Sequence, residues 1–193
     1  MLMILVIQKS SRHKTLIHQF SRSNDIIIVD VVADEWLTSF PDEALLKKLV
    51  ISAAKSALLT VGPARSVEVS ILLTDDNEIR ALNQNYRDKN VPTNVLSFAI
   101  SDCYTSSELN LIQPKDFPKL LGDVVVAYQT CSKEATSQSR ILEDYLCHMI
   151  IHGTLHLLGY DHDNEEEAII MEDFERKSLT PLGIKDPYIN IGT

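Results

Sequence analysis

The chain has three cysteines, Cys103, Cys131 and Cys147, an odd number with no CxxC pair among them. That argues against a disulfide framework and fits a reducing compartment. None stands in a reactive-looking local motif, so each reads as a small buried hydrophobe. No apolar run approaches the roughly 18 residues that a membrane-spanning helix needs. The N-terminal stretch does not read as a secretory leader: "MLMILVIQKSSRHK" puts seven apolar residues first and its positive charges after them, with no small-residue cleavage site. These absences predict a cytoplasmic protein with no membrane partner. Acids are absent from residues 1–24, which carry Lys9, Arg12, Lys14 and Arg22. This stretch reads as an N-terminal arm, a mobile extension or an upstream start. No internal repeat or low-complexity tract breaks the rest.

With 193 residues, 45% hydrophobic and 23% charged, the chain has the size and composition of one globular domain, expected over residues 25–188. The net charge is -9, and the four basic residues of the arm leave 14 basic against 27 acidic side chains beyond it. Such a body binds nucleic acid poorly without help. A polyanionic substrate would need a metal ion or a local positive patch.

Periodicity predicts the elements. "IIIVDVV" at 26–32 reads as a strand, rich in β-branched residues. "PDEALLKKLVISAAKSALLTVG" at 41–62 reads as a helix ended by Gly62. Val67, Val69, Ile71 and Leu73 alternate on one face of a second strand. Asp75 and Glu78 form a capping box for a helix reaching Tyr86. "NVLSFAI" and "DVVVAY" are further strands, separated by a polar, proline-containing loop at 101–120. Helices follow at about 129–137, 141–158 and 164–179. The order implies an α+β fold: a single domain with one mixed β-sheet packed by helices.

The chemistry concentrates in "HGTLHLLGYDH" at 152–162, which holds three of the six histidines. His152 and His156 are one helical turn apart, on the same face. Gly159 is a natural helix stop, and the reversal it permits brings His162 back toward the other two. Zinc takes about four ligands, so three imidazoles leave one position open, the mark of a catalytic site. Imidazoles also suit nickel, copper and iron. The metal-bearing helix resembles that of zinc metalloproteases: the metzincin motif H-E-x-x-H-x-x-G-x-x-H has the same gaps and the same glycine. Its glutamate base is replaced here by Gly153, which argues against ordinary peptide hydrolysis.

The histidine stretch resembles the signature of the YbeY family of rRNA-maturation endoribonucleases. "LNQNYRDKNVPTNVLSF" at 82–98 and "LGDVVVA" at 121–127 are similar to that family's other motifs, in the same order. The resemblance spans about residues 25–188. It implies one Zn2+ bound by His152, His156 and His162. It implies single-strand-specific cleavage of RNA in rRNA maturation, notably at the 16S 3′ end, and a part in ribosome quality control. Its partners would be ribosomal RNA and the small ribosomal subunit, with no DNA. Arg87, in "NYRDK", falls on the arginine that the family treats as essential. Two alternatives remain at this point: a non-catalytic assembly factor with structural zinc, and an atypical zinc peptidase.

Other residues near these motifs have plainer readings beside functional ones. Arg87 is a candidate catalytic residue because a guanidinium can grip a phosphate with two parallel hydrogen bonds. Arg80 and Lys89 could widen a positive patch or be merely solvated. His148, one turn before His152, is a candidate proton carrier, a support behind the ligands, or a hydrogen-bonded core histidine. Asp161 could orient a ligand histidine or bond turn backbone. Thr93, Asn94 and Ser97 could line a groove or cap a strand start. Asp163, Glu165, Glu166 and Glu167 read as acids favoured at a helix N-terminus rather than as metal ligands.

Overall fold

A computed structural model describes residues 25–102 and 117–189. The expected arm, Cys103 and most of the 101–120 loop lie outside the described residues. The elements in chain order are β1 (Ile26–Val31), α1 (Asp34–Ser39), α2 (Glu43–Val61), β2 (Val67–Thr74), α3 (Asp76–Arg87), β3 (Val95–Ala99), β4 (Lys119–Ala127), α4 (Tyr128–Ser137), α5 (Leu142–Leu157) and α6 (Glu165–Leu179). The four strands form one mixed sheet in the order β1-β2-β4-β3. β1, β2 and β4 are parallel, and β3 lies antiparallel to β4 at the edge. The expected α+β domain, one mixed sheet packed by helices, is the fold observed.

Side chains alternate across a strand, so the register fixes which residues share a face. Val29, Ile71, Val124 and Ser97 line up across the sheet. This face receives α2 and α5, and α6 packs on those two helices, in a single continuous core. Leu72, Val125 and Leu96 point the other way and pack with Ile79 and Leu82 of α3. The helices α3 and α5 therefore flank the same edge strand from opposite sides. α5 is buried without a break from Tyr145 to Ile151. A helix that is apolar all round belongs inside a protein. Each Leu or Ile buried there contributes about 1.5–3 kcal/mol relative to exposure.

Three boundaries differ from the sequence expectation. A separate helix, α1, precedes α2; its Trp36 is fully buried and its Nε1 donates to the Thr74 carbonyl at 3.0 Å. Six residues are too few to display a helical period, so tertiary packing decides this segment. The helix expected from Pro41 starts at Glu43, where Asp42 accepts from the backbone N–H groups of Ala44 and Leu45. β4 begins at Lys119, inside the expected loop, because its first residues pair with Val67 and Glu68. Asp75 caps α3 as expected, accepting from Asn77 and Glu78 N–H at 2.9 Å.

Candidate metal centre

His152 and His156 stand in the last turns of α5. The helix ends in a pair of reversed hydrogen bonds: Gly159 N–H donates to the His156 carbonyl at 2.9 Å, and Tyr160 N–H to that of Leu155 at 3.1 Å. This closing pattern needs a left-handed residue at its turn, and Gly159 supplies it with φ of 91°. The chain then reverses, and Asp161 Oδ1 accepts from His162 N–H at 2.8 Å. His162 is thereby returned to the other two. One ring nitrogen from each of the three histidines lies within 4.8 Å of the others. Ring centroids are 4.6, 5.3 and 5.1 Å apart.

The donor set fits a metal ion. His152 Nε2 and His156 Nε2 are 3.1 Å apart. An ion at ~2.0–2.1 Å from each of several tetrahedral nitrogens holds them at about this spacing. Burial, and after it the neighbouring His152 and His162, push His156 down to about 4. At neutral pH it is an uncharged imidazole with a lone pair to offer. His162 is exposed and His152 and His156 only half-buried, so one side of the group is open to solvent.

Behind the three histidines lies a buried polar layer. Glu175 of α6 is 1% exposed. Its Oε1 lies 2.7 Å from His152 Nδ1 and its Oε2 2.8 Å from His148 Nε2. Burial pushes this carboxyl up, but the hydrogen bonds from His148 and His152 outweigh it and hold the group below the usual carboxylate range. His148 is also buried, and Arg140 Nη1 meets its Nδ1 at 3.0 Å. Tyr188 donates its hydroxyl to Glu175 Oε2. Sequence reading missed Glu175, Arg140 and Tyr188. Glu175 did leave a signal: it shares a buried stripe with Met171, Ser178 and Leu179 on an otherwise polar helix.

Gly153 is explained by packing. A Cβ built there would stand 2.7 Å from Val124 Cγ1 and 3.0 Å from Ser97 Oγ. Ser97 Oγ donates to the Gly153 carbonyl at 3.1 Å, so helix and edge strand meet at this point. The glutamate of the metzincin motif has no room on this backbone. Asp161 has the turn-backbone bond of its plainer reading, and its Oδ1 lies 3.8 Å from His156 Nδ1, beyond hydrogen-bond distance.

Arg87 is the last residue of α3 and is exposed, followed by Asp88 in the left-handed conformation. Among the described residues no hydrogen bond or ion pair joins it to the histidines or to anything else. Arg80 is tied to Asn90 at 2.8 Å. Asn94 anchors the end of the intervening segment, donating to Glu134 Oε2 at 2.8 Å and to Tyr145 at 3.1 Å. Among the described residues, the Thr93 hydroxyl bonds only Asn94, at 3.4 Å. Asn164 caps α6 by accepting from Glu167 N–H, with Glu165, Glu166 and Glu167 in the first turn. Those acids and Asp163 do not join the histidine group. Cys131 and Cys147 are buried, and burial pushes the Cys147 thiol up to about 12.

The family described as Endoribonuclease YbeY matches residues 33–183. The chain belongs to the YbeY endoribonuclease family. An Endoribonuclease YbeY of Paramagnetospirillum magneticum is 44% identical over 163 residues, covering 84% of this chain and 94% of that protein. One of Bradyrhizobium diazoefficiens is 39% identical over 185 residues, covering 93% and 92%. The solution structure of TM1509 from Thermotoga maritima is similar at a TM-score of 0.48 and 20% identity, over 86% of this chain and 97% of that one. YbeY membership makes the protein a hydrolase that acts on RNA. Among the described residues, no helix is long and apolar enough to cross a membrane.

Proposed function

We propose that this YbeY protein cleaves single-stranded RNA with one zinc ion held by His152, His156 and His162. Its place is the cytoplasm, in rRNA maturation at the 16S 3′ end and in ribosome quality control, with the small subunit as partner. The observation that carries the zinc reading is three converging imidazoles with one open side and no fourth protein ligand among the described residues. A structural zinc site is closed by four protein ligands, so the open side favours catalysis. The filled space at Gly153 argues against a peptidase, whose base would stand there.

Bound at this group, zinc supplies hydroxide at neutral pH and polarises a phosphoryl oxygen. The chain's own residues do the rest. His156 is neutral and ready to ligate. Arg87 has a guanidinium with no partner among the described residues, suited to grip a phosphate and to stabilise charge in the transition state. Gly153 offers no proton acceptor, so two routes are open: the RNA 2′-OH attacks the phosphorus and the P–O5′ bond breaks, or water attacks and the P–O3′ bond breaks. In each, the proton lost by the nucleophile is balanced by the one that the leaving oxygen takes up. A 2′,3′-cyclic phosphate product identifies 2′-OH attack; a 3′-hydroxyl with a 5′-phosphate identifies attack by water.

The test is metal analysis of the purified chain together with cleavage of an rRNA precursor by wild type and Arg87→Ala. We expect about one zinc per chain, and a drop of roughly 10²–10³-fold in cleavage for the variant with its zinc retained. Full cleavage by Arg87→Ala removes that residue from the mechanism. Full cleavage in excess chelator removes the metal.

A further inference from the structure

Glu175 touches two histidines at once, and the donor chemistry of its neighbours fixes how. A guanidinium has donors only. Arg140 therefore donates to His148 Nδ1 across their 3.0 Å contact, and that nitrogen carries no proton. The proton of His148 is then on Nε2, which donates to Glu175 Oε2 at 2.8 Å. An ionised carboxylate accepts only, so His152 donates Nδ1–H to Oε1 at 2.7 Å. This leaves the lone pair of His152 on Nε2, the nitrogen that faces His156 Nε2 at 3.1 Å.

The geometry points to Glu175 as a positioning residue that sets the tautomer and ring orientation of the ligand His152, held in turn by His148, Arg140 and Tyr188. His148 belongs to this support, because both of its nitrogens are engaged and it has none free to carry a proton to substrate. The C-terminal segment belongs to it as well. Tyr188 N–H donates to Asp186 Oδ1 at 2.9 Å, Arg176 Nε pairs with Asp186 Oδ2 at 3.2 Å, and Arg176 lies 4.8 Å from the Tyr188 ring centre. These contacts seat the Tyr188 hydroxyl on Glu175. Carboxylates placed behind a ligand histidine raise its basicity and restrict its ring.

This inference rests on the three-histidine metal reading, and its test separates the two. Zinc affinity of the full chain is measured by competition with a chromophoric chelator, for wild type and Glu175→Gln, with the melting temperature of each metal-free protein. The glutamine amide keeps the shape but turns a donor toward either His148 or His152. We expect zinc binding weaker by about 10–100-fold, with the metal-free variant still folded. Equal affinity in both proteins overturns the role of Glu175 and leaves the metal reading intact. A wild type that takes up no zinc overturns the metal reading itself. If Glu175→Gln fails to fold, long-range ¹H–¹⁵N imidazole spectra of zinc-loaded wild type decide the matter. Protons on His152 Nδ1 and His148 Nε2 support the assignment, whereas a proton on His148 Nδ1, or His152 bound to zinc through Nδ1, overturns it.

Discussion

The three histidines and Arg87 stand on helices that flank the same edge strand, and the molecule holds them in opposite ways. Around the histidines, a helix end, a glycine turn and a buried carboxylate fix the side chains before any ligand arrives. Arg87 is exposed at a helix end and bonded to nothing among the described residues. A metal ligand must be oriented to tenths of an ångström, so the fold invests contacts in it. A phosphate grip is completed by the phosphate, so a free guanidinium on an anchored segment suffices. On the proposed function, geometry comes from a site already held by contacts, and phosphate binding from a side chain with no partner among the described residues.

The sharpest way to break this contrast is at the ligands. His156→Ala should abolish measurable zinc uptake and RNA cleavage together, while circular dichroism shows the fold retained; cleavage without zinc would end the metal reading. At the other region, Arg87→Ala should leave zinc affinity and melting temperature within error of wild type. A large loss of stability would show that Arg87 is held by contacts after all.

Packing provides the next test. Gly153→Ala puts a methyl group 2.7 Å from Val124 Cγ1. Overpacking of this kind costs typically ~1–3 kcal/mol, read by urea denaturation. Denaturation at wild-type urea concentrations would mean that α5 and β4 have slack.

A pH titration of the metal-free protein separates the regions by charge. His156 is pushed from its usual 6.5 down to about 4. The unfolded chain takes that proton first, so stability should fall as pH drops from about 6.5 toward 4, and be fully present above it. Glu175, held low, loses its contribution in the same direction at lower pH. His156→Gln should flatten the upper part of this decline; an unchanged profile would assign it elsewhere. The smallest effect expected is at Asn164→Ala. Loss of its cap on Glu167 N–H should cost about 1 kcal/mol in the same denaturation assay, and leave zinc uptake unchanged.

The histidine group was legible in the sequence because its geometry is local. Two positions four apart on a helix and a glycine beyond its end determine where the third imidazole returns. The strands and the longer helices were legible for the same reason, since alternation and helical period are properties of short windows. Glu175 is 23 residues from His152 on another helix, and its partner Tyr188 is 13 residues further on. Only the packing of α5 on α6 brings them together. Trp36 and its six-residue helix were hidden by brevity, and the start of β4 by a proline-containing loop whose end pairs with β2. The reason for Gly153 was half visible: its missing carboxylate could be read, but the Val124 and Ser97 side chains that occupy the space could not.

The central claim is that three imidazoles hold one ion on which RNA cleavage depends. Its most direct measurement is stepwise return of zinc to chelator-treated protein, with cleavage of a single-stranded RNA followed at each step. We predict no cleavage at the start and a linear rise that stops at one equivalent per chain. Full cleavage before any zinc is returned, or none after one equivalent is bound, would contradict it.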